Sequence, residues 1–579
     1  MVGDRTPTAE RDPMPSWTQE DDERASVVRI VHDTVELPTG RCPTHRRTTA
    51  DRAVLRPGPV KPTPLCNAPL DALQAALDLV EHRGWSVEAA TAHLPVPGEN
   101  SRNVLGTLVA PLHEGLLTWV QHAAKVWTRS RTETDGPHLT PCPDPWVCRY
   151  PAAHGTRRAR TYEVLTRGRR YTCFDGPDRV RELWVPVLGS FAEQSPSVAA
   201  DAVAAHVLAT GMSVDRTALE IRPWRYRGGT PLPLRQKTDA SFIDEAPADR
   251  VRVVHVSCLD GARKIGFDGT VDEASAFYAA EGRVALRAVT GSAERVPGSD
   301  CGTCKLHKGC DRLVPAPGLL GFRDRTRPRR TWSVGAGVLA ASCPAAQHLR
   351  SLGLPGTEPD PATLREQNVR AHLVRQHART PRRPCSPGTL PDRSVPNLPA
   401  EEIDTVTTLL AAHAHRCPLR TLPARAPLHA GLLLNAEDVR TDVLVLARPD
   451  LLYRDGDSWV QRRIVTAQHA PEEEGPALVA GQPHLALAVL LFAFGVVPLG
   501  RSSRVELETL APEGAHVHTV DPFSRAVRDQ SRLLISELAS LWHRDTVHPP
   551  MPGRACLTCS HRRWCPAALT PGTEEGAQS

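Results

Sequence analysis

Two runs of cysteine constrain this chain more than any other feature. Cys556-Leu-Thr-Cys559-Ser-His-Arg-Arg-Trp-Cys565 lies almost at the C-terminus, and Cys301-Gly-Thr-Cys304-Lys-Leu-His-Lys-Gly-Cys310 has the same spacing 255 residues earlier. One such triplet could arise by chance among 15 cysteines; two imply a duplicated unit that ends in a metal knuckle. A CxxC turn lets two thiolates chelate one centre, and the third cysteine is near enough to close back on it. The fourth ligand must come from elsewhere. If it lies far upstream, the centre ties the end of a domain to its beginning. If it is a neighbouring histidine, His561 or His307, the site is a zinc knuckle.

A chain of 579 residues suggests two to four domains. It contains no run of eighteen apolar residues, and its polar N-terminus lacks the apolar core of a signal peptide. A cytoplasmic protein without a membrane partner is therefore expected, and in that compartment clustered cysteines read as metal ligands rather than disulfides. Net charge is only +5, but the basic side is almost all arginine: the lysines are Lys61, Lys125, Lys237, Lys264, Lys305 and Lys308, with none beyond. Arg157-Arg158-Ala-Arg160, Arg323 to Arg330 and Arg379 to Arg383 are clusters suited to phosphates, solvated loop charge being the plainer reading. No GxxxxGK[ST] occurs, so the chain is not itself a nucleotide-driven motor.

Residues 1–62 read as a disordered, polar, Pro-rich arm with one short element around Ser26 to Val35. A first module is expected over 63–322, a basic linker over 323–330, a second module over 331–570 and a tail over 571–579. In the first module, periodicity predicts helices from Leu70 and over 104–127, then strands at 162–165, 169–173 and 180–187. A helix at 197–210, strands at 217–226 and 251–258, and a helix at 271–290 lead into the first knuckle. The second module repeats the plan, with helices at 336–352, 363–378 and 400–413, strands at 430–434, 443–453 and 458–466, a helix at 483–494, a strand at 503–509 and a helix at 522–542. The fold class is α/β: two tandem modules, each a small mixed sheet flanked by helices and closed by a cysteine knuckle.

The second module resembles the RecB-like branch of the PD-(D/E)XK nucleases, in particular members closed by a [4Fe-4S] cluster. Ser333-Val-Gly-Ala-Gly-Val-Leu-Ala-Ala-Ser-Cys343-Pro344 is similar to that family's opening helix, which ends in a cluster ligand. Glu366-Gln-Asn-Val-Arg-Ala-His372-Leu resembles its metal-binding helix, and Ala447-Arg-Pro449-Asp450-Leu-Leu-Tyr its aspartate strand. The resemblance implies a cluster held by Cys343, Cys556, Cys559 and Cys565. It also implies His372 and Asp450 as catalytic, Mg²⁺- or Mn²⁺-binding residues if the site is active, and DNA with a helicase or DNA-repair protein as partners.

The family also needs an acidic residue and a lysine two positions apart on the next strand, to hold the cation and activate the attacking water. Here Trp459-Val-Gln461-Arg462-Arg463-Ile464-Val465-Thr466 puts Arg463 and Val465 in those places, and the module has no lysine to substitute. Gln482-Pro-His484-Leu-Ala486 keeps the family's later Gln but has Ala for its Tyr. The expectation is a degenerate member in which His372 and Asp450 remain as remnants and which binds DNA or a partner without cutting. The alternatives are an active nuclease using Glu437, Glu472, Glu473 or Glu474 as a migrated ligand, and a zinc-stabilised interaction protein.

In the first module, the second cluster would use Cys301, Cys304, Cys310 and an upstream cysteine. Cys66 is favoured over Cys42, because Cys66 precedes Cys301 by 235 residues and Cys343 precedes Cys556 by 213. Cys142, Cys148, His154 and Cys173 are read as unligated in preference to a separate zinc site.

Overall fold

The structure is a computed structural model. It describes residues 27–35, 41–50, 68–94, 112–133, 137–151, 161–192, 195–221, 231–235, 248–304, 306–327, 329–357, 360–386, 400–423 and 425–569.

The first module is built on two sheets. The smaller contains β1 (Val27–Val31), β3 (Trp146–Pro151), β4 (Thr161–Leu165) and β7 (Met212–Ser213), in the order β1-β4-β3-β7. The larger contains β2 (Thr140–Pro141), β5 (Arg169–Asp175), β6 (Asp178–Val187), β8 (Arg250–Ser257) and β9 (Arg263–Thr270), in the order β2-β5-β6-β8-β9. Its pairings run antiparallel, antiparallel, parallel, antiparallel. A parallel step needs a crossover, and the Ala/Val-rich helix α4 (Val198–Thr210) supplies it after α1 (Pro43–Ala50), α2 (Pro69–Arg83) and α3 (Glu114–Thr132). Helix α4 is apolar nearly all round, as a helix buried against a sheet must be, and Ala202 to Ala205 are fully covered.

The second module repeats this topology. Strands β10 (Arg330–Trp332), β12 (Leu434–Asp438) and β13 (Val443–Ala447) form the smaller sheet in the order β10-β13-β12. Its first pair is parallel and its second antiparallel, as in β1-β4-β3. Strands β11 (Leu428–Ala430), β14 (Leu451–Asp455), β15 (Ser458–Thr466), β16 (Arg504–Ala511) and β17 (Gly514–Val520) form the larger one, with the same four pairings in the same sequence. Two modules of one plan are therefore present, as the cysteine spacing predicts. Helices α5 (Val334–Ser342), α6 (Pro344–Ser351), α7 (Pro361–Arg379), α8 (Ala400–Arg416), α9 (Pro483–Ala493) and α10 (Arg525–Arg544) complete it. The eight residues Leu485 to Phe492 of α9 are all buried at the centre of the module's core. Among the described residues no single helix is long and apolar enough to cross a membrane.

Several elements differ from expectation. The short element around Ser26 to Val35 is β1, and it pairs with β4; together with α1 it makes 27–35 and 41–50 part of the first module rather than of an arm. The strand expected at 217–226 is instead a helical turn, Arg216–Ile221, and 222–230 lie outside the described residues. The helix expected over 336–352 breaks at Cys343, because Pro344 has no N–H to continue it and opens a new helix at its first position. The strand expected over 443–453 is two strands in two sheets, parted at Arg448-Pro449-Asp450, where proline cannot donate to a ladder.

Both knuckles sit at the seam between modules. The first packs Cys301 and Leu313 against Leu444 of β13, and the chain after it buries Ala316, Leu319 and Leu320 in the second module's core. The second buries Trp564 among Leu116, Trp119 and Val120 of α3, with its indole N–H donating to Pro355 O at 2.6 Å. Trp564→Ala should therefore loosen both modules, at a cost of about 3–5 kcal/mol for a buried Trp. Thermal unfolding of the variant is expected at a clearly lower midpoint, and an unchanged midpoint would show that the seam carries little stability.

Candidate metal centres and the Asp450 pocket

Cys343 is the cap residue of α6, held extended by Pro344 behind it, and Cys556, Cys559 and Cys565 come from short helical turns 213 to 222 residues later. All four line one hollow, together with Met551 and His561. A matching hollow in the first module is lined by Cys42, Cys301, Cys304 and Cys310, with His307. Cys42 immediately precedes Pro43 and α1, as Cys343 precedes Pro344 and α6. Among the described residues Cys42 is the upstream cysteine that reaches the first knuckle; the favoured Cys66 lies outside them.

Four thiols are a donor set that a cationic centre of more than one metal atom could use. Burial first, then the neighbouring thiols, raise the Cys565 and Cys559 thiols, and the same causes push Cys304 up to about 11. Four such groups in one hollow ionise together only if positive charge sits among them. Backbone N–H groups already aim at two of the sulfurs: His45 N–H donates to Cys42 Sγ and Gly298 N–H to Cys301 Sγ, both at 3.4 Å. Nδ1 of His307 is engaged by Cys304 O at 2.7 Å, and Nδ1 of His561 by Ser560 Oγ at 2.9 Å.

Asp450 occupies the break between β13 and β14 and is 3% exposed. Its Oδ1 accepts from Arg370 Nε at 3.1 Å and Nη2 at 2.8 Å; its Oδ2 accepts from Ile464 N–H at 2.8 Å and faces Arg463 Nη1 at 3.6 Å. Two guanidiniums therefore stand around the carboxylate, where the resemblance implies a divalent cation. His484 adds no charge, since burial, followed by Arg463 and Arg370, pushes it down to about 3. Val465 packs against the apolar core. The residues present do not fit Mg²⁺ or Mn²⁺.

His372 does not join Asp450. No hydrogen bond or ion pair links them among the described residues; His372 is half-buried, and its interaction is with Gln376 on its own helix. Arg370 takes the position facing the sheet, and two residues further on an α-helix has turned by about 200°. The migrated acids do not assemble either. Glu437 pairs with Arg329 at 2.7 Å in the smaller sheet, close to His307 and Asp442, and the same guanidinium bonds Asp442 at 2.9 Å. Glu472, Glu473 and Glu474 are exposed.

In the first module even the aspartate is lost. Both hairpins close on equivalent pairs, Asp175 with Asp178 and Asp455 with Ser458, so Tyr171 opposite Glu182 matches Leu451 opposite Arg462, and Arg170 stands where Asp450 does. Its guanidinium donates to Pro143 O at 3.2 Å, so a cation stands where the second module has a carboxylate. Cys142, Cys148 and Cys173 are buried thiols, the first two in the core beneath α4, and His154 lies outside the described residues.

A third group was not anticipated. His377, Cys385, His413 and Cys417 are all buried, and their ligand atoms lie within 4.8 Å of one another, so they could hold a metal ion. The sequence signal was a His-x₃-Cys at the end of α8, with a histidine and a cysteine eight residues apart at the end of α7.

No family model matches this chain, and no curated protein matches it.

Because two guanidiniums already neutralise Asp450, adding Mg²⁺ or Mn²⁺ should leave the thermal midpoint of the protein unchanged. Asp450→Asn should destabilise it by about 2 kcal/mol, a buried-pair cost reduced for the partial exposure of Arg370. A cation-dependent rise in the midpoint of the wild-type protein would contradict this account of the pocket.

Proposed function

We propose that the chain is a tandem, RecB-like, iron-sulfur protein of the PD-(D/E)XK type that binds DNA as a non-cutting scaffold. The observation that carries this reading is the charge pattern at Asp450. A nuclease of this type needs a cation there to neutralise charge building on the phosphate, and the pocket has Arg370 and Arg463 against the carboxylate instead.

The thiol quartets support the cofactor part of the reading. Cys343, Cys556, Cys559 and Cys565 would hold one [4Fe-4S] cluster, and Cys42, Cys301, Cys304 and Cys310 a second. When bound, each cluster would join the beginning of its module to the end. The residues themselves orient the thiolates: the Cys-Pro caps fix the upstream sulfur, and the tight turns bring the other three to it.

For DNA, one arginine cluster is better placed than another. In the 323–330 segment Arg325 donates to Val439 O, Arg327 to Arg544 O, Arg329 pairs with Glu437 and Asp442, and Arg330 stacks over Trp542. Those side chains brace the fold. Arg379, Arg382 and Arg383, by contrast, are exposed at the end of α7, where guanidiniums can meet phosphates.

Holoprotein prepared without oxygen should bind single- or double-stranded DNA and leave it intact in Mg²⁺ or Mn²⁺. Combining Arg379→Ala, Arg382→Ala and Arg383→Ala should weaken binding and reduce the slope of log K against log salt by about 3. Cleavage that is abolished by Asp450→Ala would overturn the non-cutting part of the reading, and unchanged affinity and slope in the triple variant would overturn the assignment of the DNA-contacting face.

A further inference from the structure

We infer that His377, Cys385, His413 and Cys417 form a mononuclear, tetrahedral zinc site, separate from both thiol quartets and serving to pin α7 and α8 to the larger sheet. His377 lies in the last turn of α7 and His413 in the last turn of α8, while Cys385 and Cys417 follow in the loops beyond. The four residues are 4% exposed or less.

The spacing fits one ion. His377 Nε2 and His413 Nε2 are 3.1 Å apart, Cys385 Sγ is 3.4 Å from His377 Nε2, and the Cys385 N–H donates to Cys417 Sγ at 3.4 Å. Zinc bonds of about 2.0 Å to nitrogen and about 2.3 Å to sulfur give tetrahedral edges of roughly 3.3 to 3.8 Å. The same distances exclude a two-iron centre of mixed ligation, which puts the imidazole pair and the thiolate pair on different irons. Here a thiol and an imidazole are direct neighbours. Two histidines with two cysteines suit zinc, whereas the all-thiol quartets suit iron-sulfur.

The surroundings orient the ligands. Nδ1 of His413 donates to Glu508 Oε1 at 2.8 Å, leaving the Nε2 lone pair aimed into the cluster, and Glu508 is itself held by Arg462 at 3.0 Å. A carboxylate behind a ligating imidazole fixes its tautomer and raises its basicity. Among the described residues His377 Nδ1 has no hydrogen-bond partner, so His377 is the less firmly held imidazole. On binding, the two thiols lose their protons to solvent and the ion takes four lone pairs.

The mechanical consequence concerns the Asp450 pocket. Arg370 and His377 are seven residues apart on α7, almost two full turns, so both face the sheet. An ion held at His377 and tied through Glu508 to β16 fixes the helix that carries Arg370 to Asp450.

The test is elemental analysis of the full-length protein, purified without added metal and washed with a weak chelator. Wild-type chain should retain one zinc that Cys385→Ser with Cys417→Ser removes while iron is unchanged; Cys556→Ser with Cys559→Ser should lower iron and leave that zinc in place. Should the quartets themselves hold zinc, the loss of one equivalent in the first double variant still reports this site alone. Cobalt(II) exchanged into wild-type protein should show tetrahedral ligand-field bands with thiolate charge transfer. His377→Cys, which keeps four ligands, should retain the metal and strengthen the charge-transfer absorption even if the double variant does not fold. Wild-type protein without a bound divalent metal, zinc unchanged in the first double variant, or an octahedral cobalt spectrum would overturn the inference.

Discussion

Thiols from the two ends of a module meet in one hollow, twice, and the remaining architecture is arranged to allow it. Four sulfurs in such partly buried surroundings stay protonated unless a cation shares the space. In each module the upstream sulfur belongs to a Cys-Pro pair that opens a helix eleven residues beyond the first strand of the smaller sheet, and the other three lie in tight turns after the last helix. Since the first strand and the last helix lie on either side of the larger sheet in the chain, a centre held by these sulfurs would close the module. The knuckles are also where the modules touch, through Leu313 and Leu444 at one and Trp564 and Trp119 at the other.

In both larger sheets, buried carboxylates are met by guanidinium groups. Asp450 is met by Arg370 and Arg463; in the first module the polarity is reversed, with Arg169 on the sheet bonded to Asp78 and Glu81 on α2. Arg462 bridges Glu506 and Glu508 on the opposite side of β15. Arginine suits these roles because its planar fork can satisfy several oxygens and cannot lose its proton when buried. The scarcity of lysine, which a composition bias toward arginine explains in part, thus has a structural counterpart.

Much of this was legible in the residues. Identical cysteine spacing predicted a duplication, and the repeated order of parallel and antiparallel pairings bears it out. Cys343 stands out through the resemblance of Ser333 to Pro344 to a family helix that ends in Cys-Pro. Cys42 carries the same Cys-Pro signal, whereas matching separations favour Cys66, which lies outside the described residues. His372 was assigned through the resemblance of Glu366 to Leu373 to a family helix; which of two residues on a helix faces the sheet depends on a rotation that composition does not reveal. The His377, Cys385, His413 and Cys417 group escaped because its ligands lie in two pairs on either side of a Pro/Arg-rich stretch, and only the packing of α7 on α8 brings them together. Asp450 was found, but its neutralisation by Arg370 was not, since that pair is separated by 80 residues.

The claim on which the account depends is that the sulfur completing the first quartet is Cys42. The most direct measurement is the iron content and visible absorbance of anaerobically purified Cys42→Ser and Cys66→Ser proteins beside wild type. The account predicts that Cys42→Ser loses about half of the iron, one of two centres, while Cys66→Ser retains all of it. Iron lost from Cys66→Ser and kept by Cys42→Ser would contradict it.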